Sequence, residues 1–251
     1  MKIKFSSYYK EDREALIECV NNFDISGKKF DDRNRNSLKI FEVNGQLVNI
    51  KSFKTPNIIN QVVYRTIRSS KAHRSFENAN KLLCKGVLTP KPIAYFEEEG
   101  FFFGKSYYVS EHLQYDLTFR ELCHDSSYIG NEEMLSAVAL FTYSLHEKNI
   151  HFLDHSPGNT LIKIKEEGFD FYLVDLNRMK FRRMDFKTRM DNFARLSHRT
   201  CDIAIMARAY AIASGESQEV VYNAITLAVQ AFQKNIFKKK QIKTRLKFWK
   251  K

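Results

Sequence analysis

The stretch from Met134 to Arg178 constrains this chain more than any other. Met134, Val138, Phe141 and Leu145 recur at helical spacing and predict a helix over Glu132 to Glu147 with one apolar face. A short polar loop follows, His151-Phe152-Leu153-Asp154-His155-Ser156-Pro157-Gly158-Asn159. Two alternating segments come next, Thr160 to Lys165 and Phe169 to Val174, around the turn Glu166-Glu167-Gly168. The chain then reads Asp175-Leu176-Asn177-Arg178. Asp, Ser, Pro, Gly and Asn favour turns on their own account. That alone does not explain why Asp154 and Asn159, five positions apart, are followed by a hairpin that ends at a second aspartate.

Upstream the pattern is mostly strand-like. Ser37 to Val43 and Gln46 to Phe53 alternate on either side of Asn44-Gly45, which predicts a hairpin with a type I′ turn and places Lys51 in its second strand. Val62 to Lys85 reads as a helix that contains Glu77 and stops at Gly86. After Pro90 and Pro92, strands are expected at Ile93 to Phe96 and Phe101 to Ser110, around Glu97 to Gly100. Beyond the loop and its hairpin the pattern is helical again, with helices that contain Asp202 to Ala213 and Gln218 to Phe232. A small sheet with one helix therefore precedes a mainly helical half.

Phosphoryl transfer needs a cation on the ATP phosphates, an anchor for that cation, a carboxylate facing the acceptor hydroxyl, and oxygen ligands for Mg²⁺. In chain order the candidates are Lys51, Glu77 and Asp154, with Asn159 and Asp175 as metal ligands. The segment LHEKNIHFLDHSPGNTLI, followed by FYLVDLNR, resembles the catalytic loop and metal-binding segment of kinase-like enzymes. Pro157-Gly158, and Asp175-Leu176-Asn177-Arg178 in place of Asp-Phe-Gly, are more similar to small-molecule and lipopolysaccharide kinases than to protein kinases. The chain most resembles the Kdo/heptose lipopolysaccharide kinase family, over roughly Leu38 to Asp202.

That resemblance implies an α+β, protein-kinase-like two-lobed fold, with a small sheet-plus-helix N-lobe over 1–113, a mainly helical C-lobe over 114–233 and a basic tail over 234–251. ATP and Mg²⁺ are the implied cofactors. Tyr107 to Leu113 is the implied hinge, with Glu111 and Leu113 at the adenine ring, and Asp202 opens the helix that supports the catalytic loop. Two features depart from the pattern. No GxGxxG precedes Lys51, only Gly27 with Lys28 and Lys29, and Phe152 stands where a histidine often precedes the catalytic aspartate.

Charge bears on the partner. The net charge is +12, of which nine cations and no acid lie between Lys234 and Lys251, leaving +3 for the rest. Ile236, Phe237, Ile242, Leu246, Phe248 and Trp249 interleave with those cations, as a segment lying on an anionic membrane surface requires. Arg178, Lys180, Arg182 and Arg183 follow the second aspartate and are candidates to contact an anionic acceptor. Basic charge without a recognition motif does not point to nucleic acid. Cys19, Cys84, Cys123 and Cys201 are too scattered for a zinc site or a CxxC pair. With no continuous apolar run, the expected location is cytoplasmic and peripheral on the inner membrane face. The expected activity is phosphorylation of a Kdo or heptose hydroxyl on lipid A-linked inner core. The alternatives are a kinase of another small molecule or of a protein, and an inactive kinase-like scaffold.

Overall fold

The hairpin expected at Asn44-Gly45 forms in the computed structural model, with φ of 50° and 79° at the two residues. Two successive positive φ values are what a type I′ turn demands, and Asn-Gly supplies them at low cost. The hairpin joins β3 (Asn36–Val43) to β4 (Gln46–Phe53), in register from Val43 opposite Gln46 to Asn36 opposite Phe53. The structure describes residues 1–9, 13–31, 36–54, 69–98, 104–124 and 131–248. They fall into two compact units, Met1–Gln114 with Tyr172–Arg178, and Tyr115–Phe171 with Met179–Lys251.

The first unit extends this hairpin into a six-stranded sheet in the order β1-β5-β6-β4-β3-β2, with β1 at Lys2–Phe5, β2 at Lys28–Asp31, β5 at Pro92–Glu97 and β6 at Ser106–Glu111. All neighbouring strands are antiparallel. Alternation along the strands sends Val48, Ile50, Ala94, Phe96, Tyr107 and Val109 to one core, which they share with Leu16 and Val20 of α1 (Arg13–Asn21). Phe53, Tyr95 and Tyr108 belong to the opposite face and pack with Ala72 and Phe76 of α2 (Lys71–Cys84). Lys51, two residues from Phe53, falls on this second face.

The helix α2 starts where its chemistry allows. Ser70 caps it, its hydroxyl accepting from the His73 N–H at 3.0 Å, and Gly86 follows its end with φ of 65°. The expected start at Val62 and the strand residues Phe101 to Phe103 lie outside the described residues. Sequence reading missed β1, α1 and β2, which are too short for periodicity to reveal.

The second unit is built on three helices, α4 (Asn131–Glu147), α6 (Thr200–Ser214) and α7 (Gln218–Phe248), with α3 (Phe119–His124) and α5 (Phe186–Asp191) beside them. Met134 and Val138, Met206 and Tyr210, and Val221 and Ile225 share one core with Phe119, Leu122 and Phe193. Fully burying one such side chain contributes roughly 1.5–3 kcal/mol. Gly215, at φ of 75°, ends α6 with its N–H on the Ala211 carbonyl at 2.9 Å. The expected hairpin appears as β9 (Thr160–Ile164) and β10 (Phe169–Leu173), with β7 (Leu117–Thr118) on the other side of β9. The last helix runs on well past Phe232. Its burial stops near Val229, and Ile236, Phe237 and Ile242 are exposed. Among the described residues no helix is long and apolar enough to cross a membrane.

Candidate active site

In the first unit the site is built around Lys51, at the middle of the sheet, opposite Leu38 of β3 and Tyr108 of β6. Its Nζ lies 2.8 Å from Oδ1 of Asp175, and the two side chains keep only 19% and 28% of their exposure. Asp175 adopts φ of 60°, a left-handed conformation that costs a non-glycine residue about 1 kcal/mol or more. The segment around it is fastened on both sides. Leu173 donates its N–H to the Leu88 carbonyl at 3.0 Å and accepts from the Thr89 hydroxyl at 2.8 Å. The Asn78 amide of α2 donates to the Leu176 carbonyl at 2.7 Å, and Arg74 donates to the Asn177 carbonyl at 3.1 Å. Asn177 in turn donates to Asp175 Oδ1 at 2.7 Å.

Glu77, expected to anchor Lys51, is held elsewhere. Its Oε1 accepts from Lys4 Nζ at 2.8 Å and lies 3.8 Å from His73 Nε2. The cause is β1, which pairs with β5 so that Lys4 stands opposite Tyr95, on the face covered by α2. The hydrogen bond to Glu77 also raises the Lys4 pKa. At the expected hinge the Glu111 N–H donates to the Lys91 carbonyl at 3.0 Å and the His112 N–H to the Leu47 carbonyl at 2.9 Å. Among the described residues the Leu113 N–H has no backbone partner.

In the second unit the helix α4 ends at Glu147, and Asn149, with φ of 60°, turns the chain into β8 (Ile150–Phe152). This short strand pairs with β11 (Met179–Phe181), so that Lys180 stands opposite His151. Lys180, Arg182 and Arg183 are exposed. The loop then tightens into a single 3₁₀ turn, Pro157–Asn159, and the Asn159 amide donates to the Asp154 carbonyl at 2.8 Å. The Asp154 carboxylate accepts from Arg195, a partner that nothing in the sequence signals.

Beneath the loop lies a buried polar network. Asn192 donates its amide N–H to the Phe152 carbonyl at 2.8 Å, so its Oδ1 is left to accept from His146 Nε2 at 3.2 Å. His146 Nδ1 then accepts from the Tyr210 hydroxyl at 2.9 Å. Thr142 donates to the Val138 carbonyl, which makes its oxygen the acceptor for His155 Nε2–H at 3.0 Å. Burial pushes the His146 pKa down to about 4, with help from the nearby charges of Arg189 and His151 and against the Asn192 hydrogen bond. Burial likewise takes His155 down to about 3. Asp202, in the first turn of α6, is buried and accepts from Ser197 at 2.7 Å and Arg199 at 3.1 Å.

The structure thus brings Lys51 to Asp175 within one unit and Asp154 to Asn159 within the other, and it gives Glu77 to Lys4. Arg195 and Asn192 are the polar residues that sequence reading missed.

Residues 36–212 match the model of the lipopolysaccharide kinase (Kdo/WaaP) family. Among solved structures the chain is similar to WaaP in complex with acyl carrier protein, at a TM-score of 0.64 and 16% identity, covering 95% of this chain and 99% of that one. It is also similar to the Rio2 kinase complex with ADP/Mg²⁺ and phosphoaspartate from Chaetomium thermophilum, at a TM-score of 0.48 and 16% identity, covering 91% and 72%. No curated protein matches its sequence. The likeness to WaaP shows a protein-kinase-like fold. The family match runs over Lys51, Glu77, Asp154, Asn159 and Asp175, and the chain belongs to the Kdo/WaaP lipopolysaccharide kinase family, a family of phosphotransferases.

Proposed function

We propose that this chain transfers the γ-phosphoryl group of ATP to a hydroxyl of an inner-core sugar, Kdo or heptose, on lipid A-linked lipopolysaccharide. The observation that carries the reading is the Lys51–Asp175 ion pair, with the aspartate held in a left-handed conformation by bonds to its neighbours on both sides. Strain kept in place by its surroundings is a mark of functional sites. A cation and a carboxylate held together in this way are ready to exchange partners, the lysine for ATP phosphates and the aspartate for a metal ion.

The donor set suits Mg²⁺, which takes oxygen ligands and is usually bound by one or two carboxylates plus substrate phosphates. Asp175 offers a carboxylate. Asn159 has committed its amide N–H to the Asp154 carbonyl, which leaves Oδ1 as its free acceptor. Mg²⁺ held by such oxygens would supply positive charge against the phosphates of ATP. The Glu111 carbonyl and the Leu113 N–H are the backbone groups assigned to the adenine edge.

Asp154 accepts the proton of the acceptor hydroxyl. The new bond joins that oxygen to the γ-phosphorus, and the bond from the γ-phosphorus to the β-phosphate oxygen breaks, its electron pair leaving with ADP. Arg195 holds the Asp154 carboxylate in one orientation until the acceptor arrives. Exposed Lys180, Arg182 and Arg183, with Arg178, attract an anionic acceptor.

The basic end of α7 docks on the anionic membrane that carries such an acceptor. Phe237 and Ile242 are 62% and 56% exposed among lysines, an arrangement suited to an interface. Sedimentation with anionic vesicles at low salt should therefore fall when residues 238–251 are removed, and equal sedimentation refutes the docking.

The test of function is transfer of radiolabel from ATP to purified rough lipopolysaccharide. Wild-type protein should label a Kdo- or heptose-terminated core, and Asp154→Ala should lose about 10²- to 10⁴-fold in turnover with ATP binding retained. Absence of label on both cores, or equal turnover by the variant, overturns the reading.

A further inference from the structure

Glu77, the residue of α2 expected to reach the site, is held at the far end of the sheet. Lys4 stands opposite Tyr95, Tyr95 opposite Tyr108 and Tyr108 opposite Lys51, so Lys4 and Lys51 occupy one row across four strands. Three strand spacings, about 14 Å, separate them. Glu77 is bonded to Lys4 at 2.8 Å and so belongs to the end of the row that Lys51 does not occupy.

A different stripe of α2 makes the connection. Arg74 and Asn78 lie one turn apart on the helix. Arg74 Nε donates to the Asn177 carbonyl at 3.1 Å, and Asn78, itself buried, donates to the Leu176 carbonyl at 2.7 Å. These are the carbonyls of the two residues that follow Asp175, whose left-handed φ of 60° persists only while the chain on both sides of it is fixed. Leu88 and Thr89 fix the side before it, through Leu173. All of these residues belong to the first unit.

The two oxygens of the Asp175 carboxylate are used differently. Oδ1 accepts from Lys51 Nζ at 2.8 Å and from the Asn177 amide at 2.7 Å, which fills its two lone-pair sites. Among the described residues Oδ2 has no hydrogen-bond or ion-pair partner. Asn177 is 8% exposed, so water does not compete freely for its amide. Once Lys51 turns to the phosphates of ATP, Asn177 is the group that still holds Oδ1.

We infer that Asn177 and Asn78 are positioning residues for the metal ligand. Asn177 occupies Oδ1 of Asp175 and so reserves Oδ2 for Mg²⁺, while Asn78, with Arg74, ties that aspartate to α2 in the role expected of Glu77. The inference rests on the kinase reading above and adds to it the residues that orient the ligand. Hydrogen bonds to a ligating group from outside the coordination sphere typically govern metal affinity by about 10- to 100-fold.

The experiment is calorimetric titration of the full chain with ADP, in EDTA and in millimolar Mg²⁺, the ratio of the two affinities being the gain from the metal. Asn177→Leu, similar in volume but without the donor, should reduce that gain about 10-fold or more and leave the affinity in EDTA unchanged. Asn78→Leu should reduce the gain by a smaller factor, and Glu77→Gln should leave it as in wild type. Asn78→Asp, alike in shape but lacking the donor, is the second variant where thermal melting shows that a leucine prevents folding. Equal gains in wild type and in the variants of Asn177 and Asn78 overturn the proposal. So does equal weakening with and without metal, the mark of a merely structural role, or a loss in Glu77→Gln as large as that in Asn78→Leu. No binding of ADP by the wild-type protein, or no gain from Mg²⁺, would instead overturn the kinase reading itself.

Discussion

Acid is the perturbation that the interior of the second unit should register most directly. His146 and His155 are fully buried, and burial lowers their pKa values from 6.5 to about 4 and about 3. Both are therefore neutral in the folded protein at pH 5, while in the unfolded chain both would be largely protonated. The unfolded state binds more protons over this window, so stability is complete above about pH 6.5 and falls as the pH drops towards the folded values. From pH 7.5 to pH 5 the loss is about 2 kcal/mol for each histidine, or about 4 kcal/mol together. A domain has only about 5–15 kcal/mol to lose. At an m-value of about 2 kcal/mol/M, the urea midpoint followed by helical circular dichroism should move down by about 2 M. His155→Gln keeps a donor for Thr142 and cannot titrate, so it should remove about half of the pH dependence. Ring titrations by NMR that give midpoints near 6.5 in the folded protein would refute the reasoning, as would an unchanged pH slope in the variant.

Three further outcomes follow from the contacts. Asn192→Ala strands the His146 Nε2–H, while the Phe152 carbonyl keeps the His155 N–H, and should cost about 1–3 kcal/mol by denaturation, the range for one buried unsatisfied group. In a double-mutant cycle on MgATP affinity, Lys51→Ala and Asp175→Ala should be strongly non-additive, whereas Lys51→Ala and Glu77→Ala should add, because Glu77 is paired with Lys4. Gly45→Ala should cost about 1–2 kcal/mol in stability through backbone strain alone, as φ is 79° and nothing lies within 4 Å of the added methyl group.

What could be read from the sequence is what local rules determine. The alternation of Gln46 to Phe53 puts Lys51 on the face opposite Val48 and Ile50, and Asn44-Gly45 sets the register, without knowledge of any distant residue. The polar loop could be located for the same reason, since Asp154 to Asn159 closes on itself through the Asn159 amide and one 3₁₀ turn. Partners set by tertiary pairing left no comparable trace. Lys4 reaches Glu77 across 73 positions, because a four-residue strand too short to show periodicity docks on the edge of the sheet. Arg195 reaches Asp154 across 41 positions, from a turn whose sequence has no feature beyond polarity. The end of α7 is unmarked in the sequence for a different reason. Apolar periodicity lapses after Phe232, yet Lys, Gln and Arg are good helix formers and need no buried face to extend a helix that is already nucleated.

The placement of Arg195 is the part of the site with the largest consequence. It pairs with the proposed base and also lines a cavity of the second unit, with its guanidinium 5.6 Å from the Phe232 ring centre. The Asp154 carboxylate is thereby held in one orientation, and orientation of a proposed base is felt in turnover more than in binding. Arg195→Lys, which keeps the charge but loses the planar fork, should lower kcat more than it raises KM for the acceptor, with MgATP affinity unchanged. A variant whose only defect is in KM would show that Arg195 binds the acceptor and leaves the base alone.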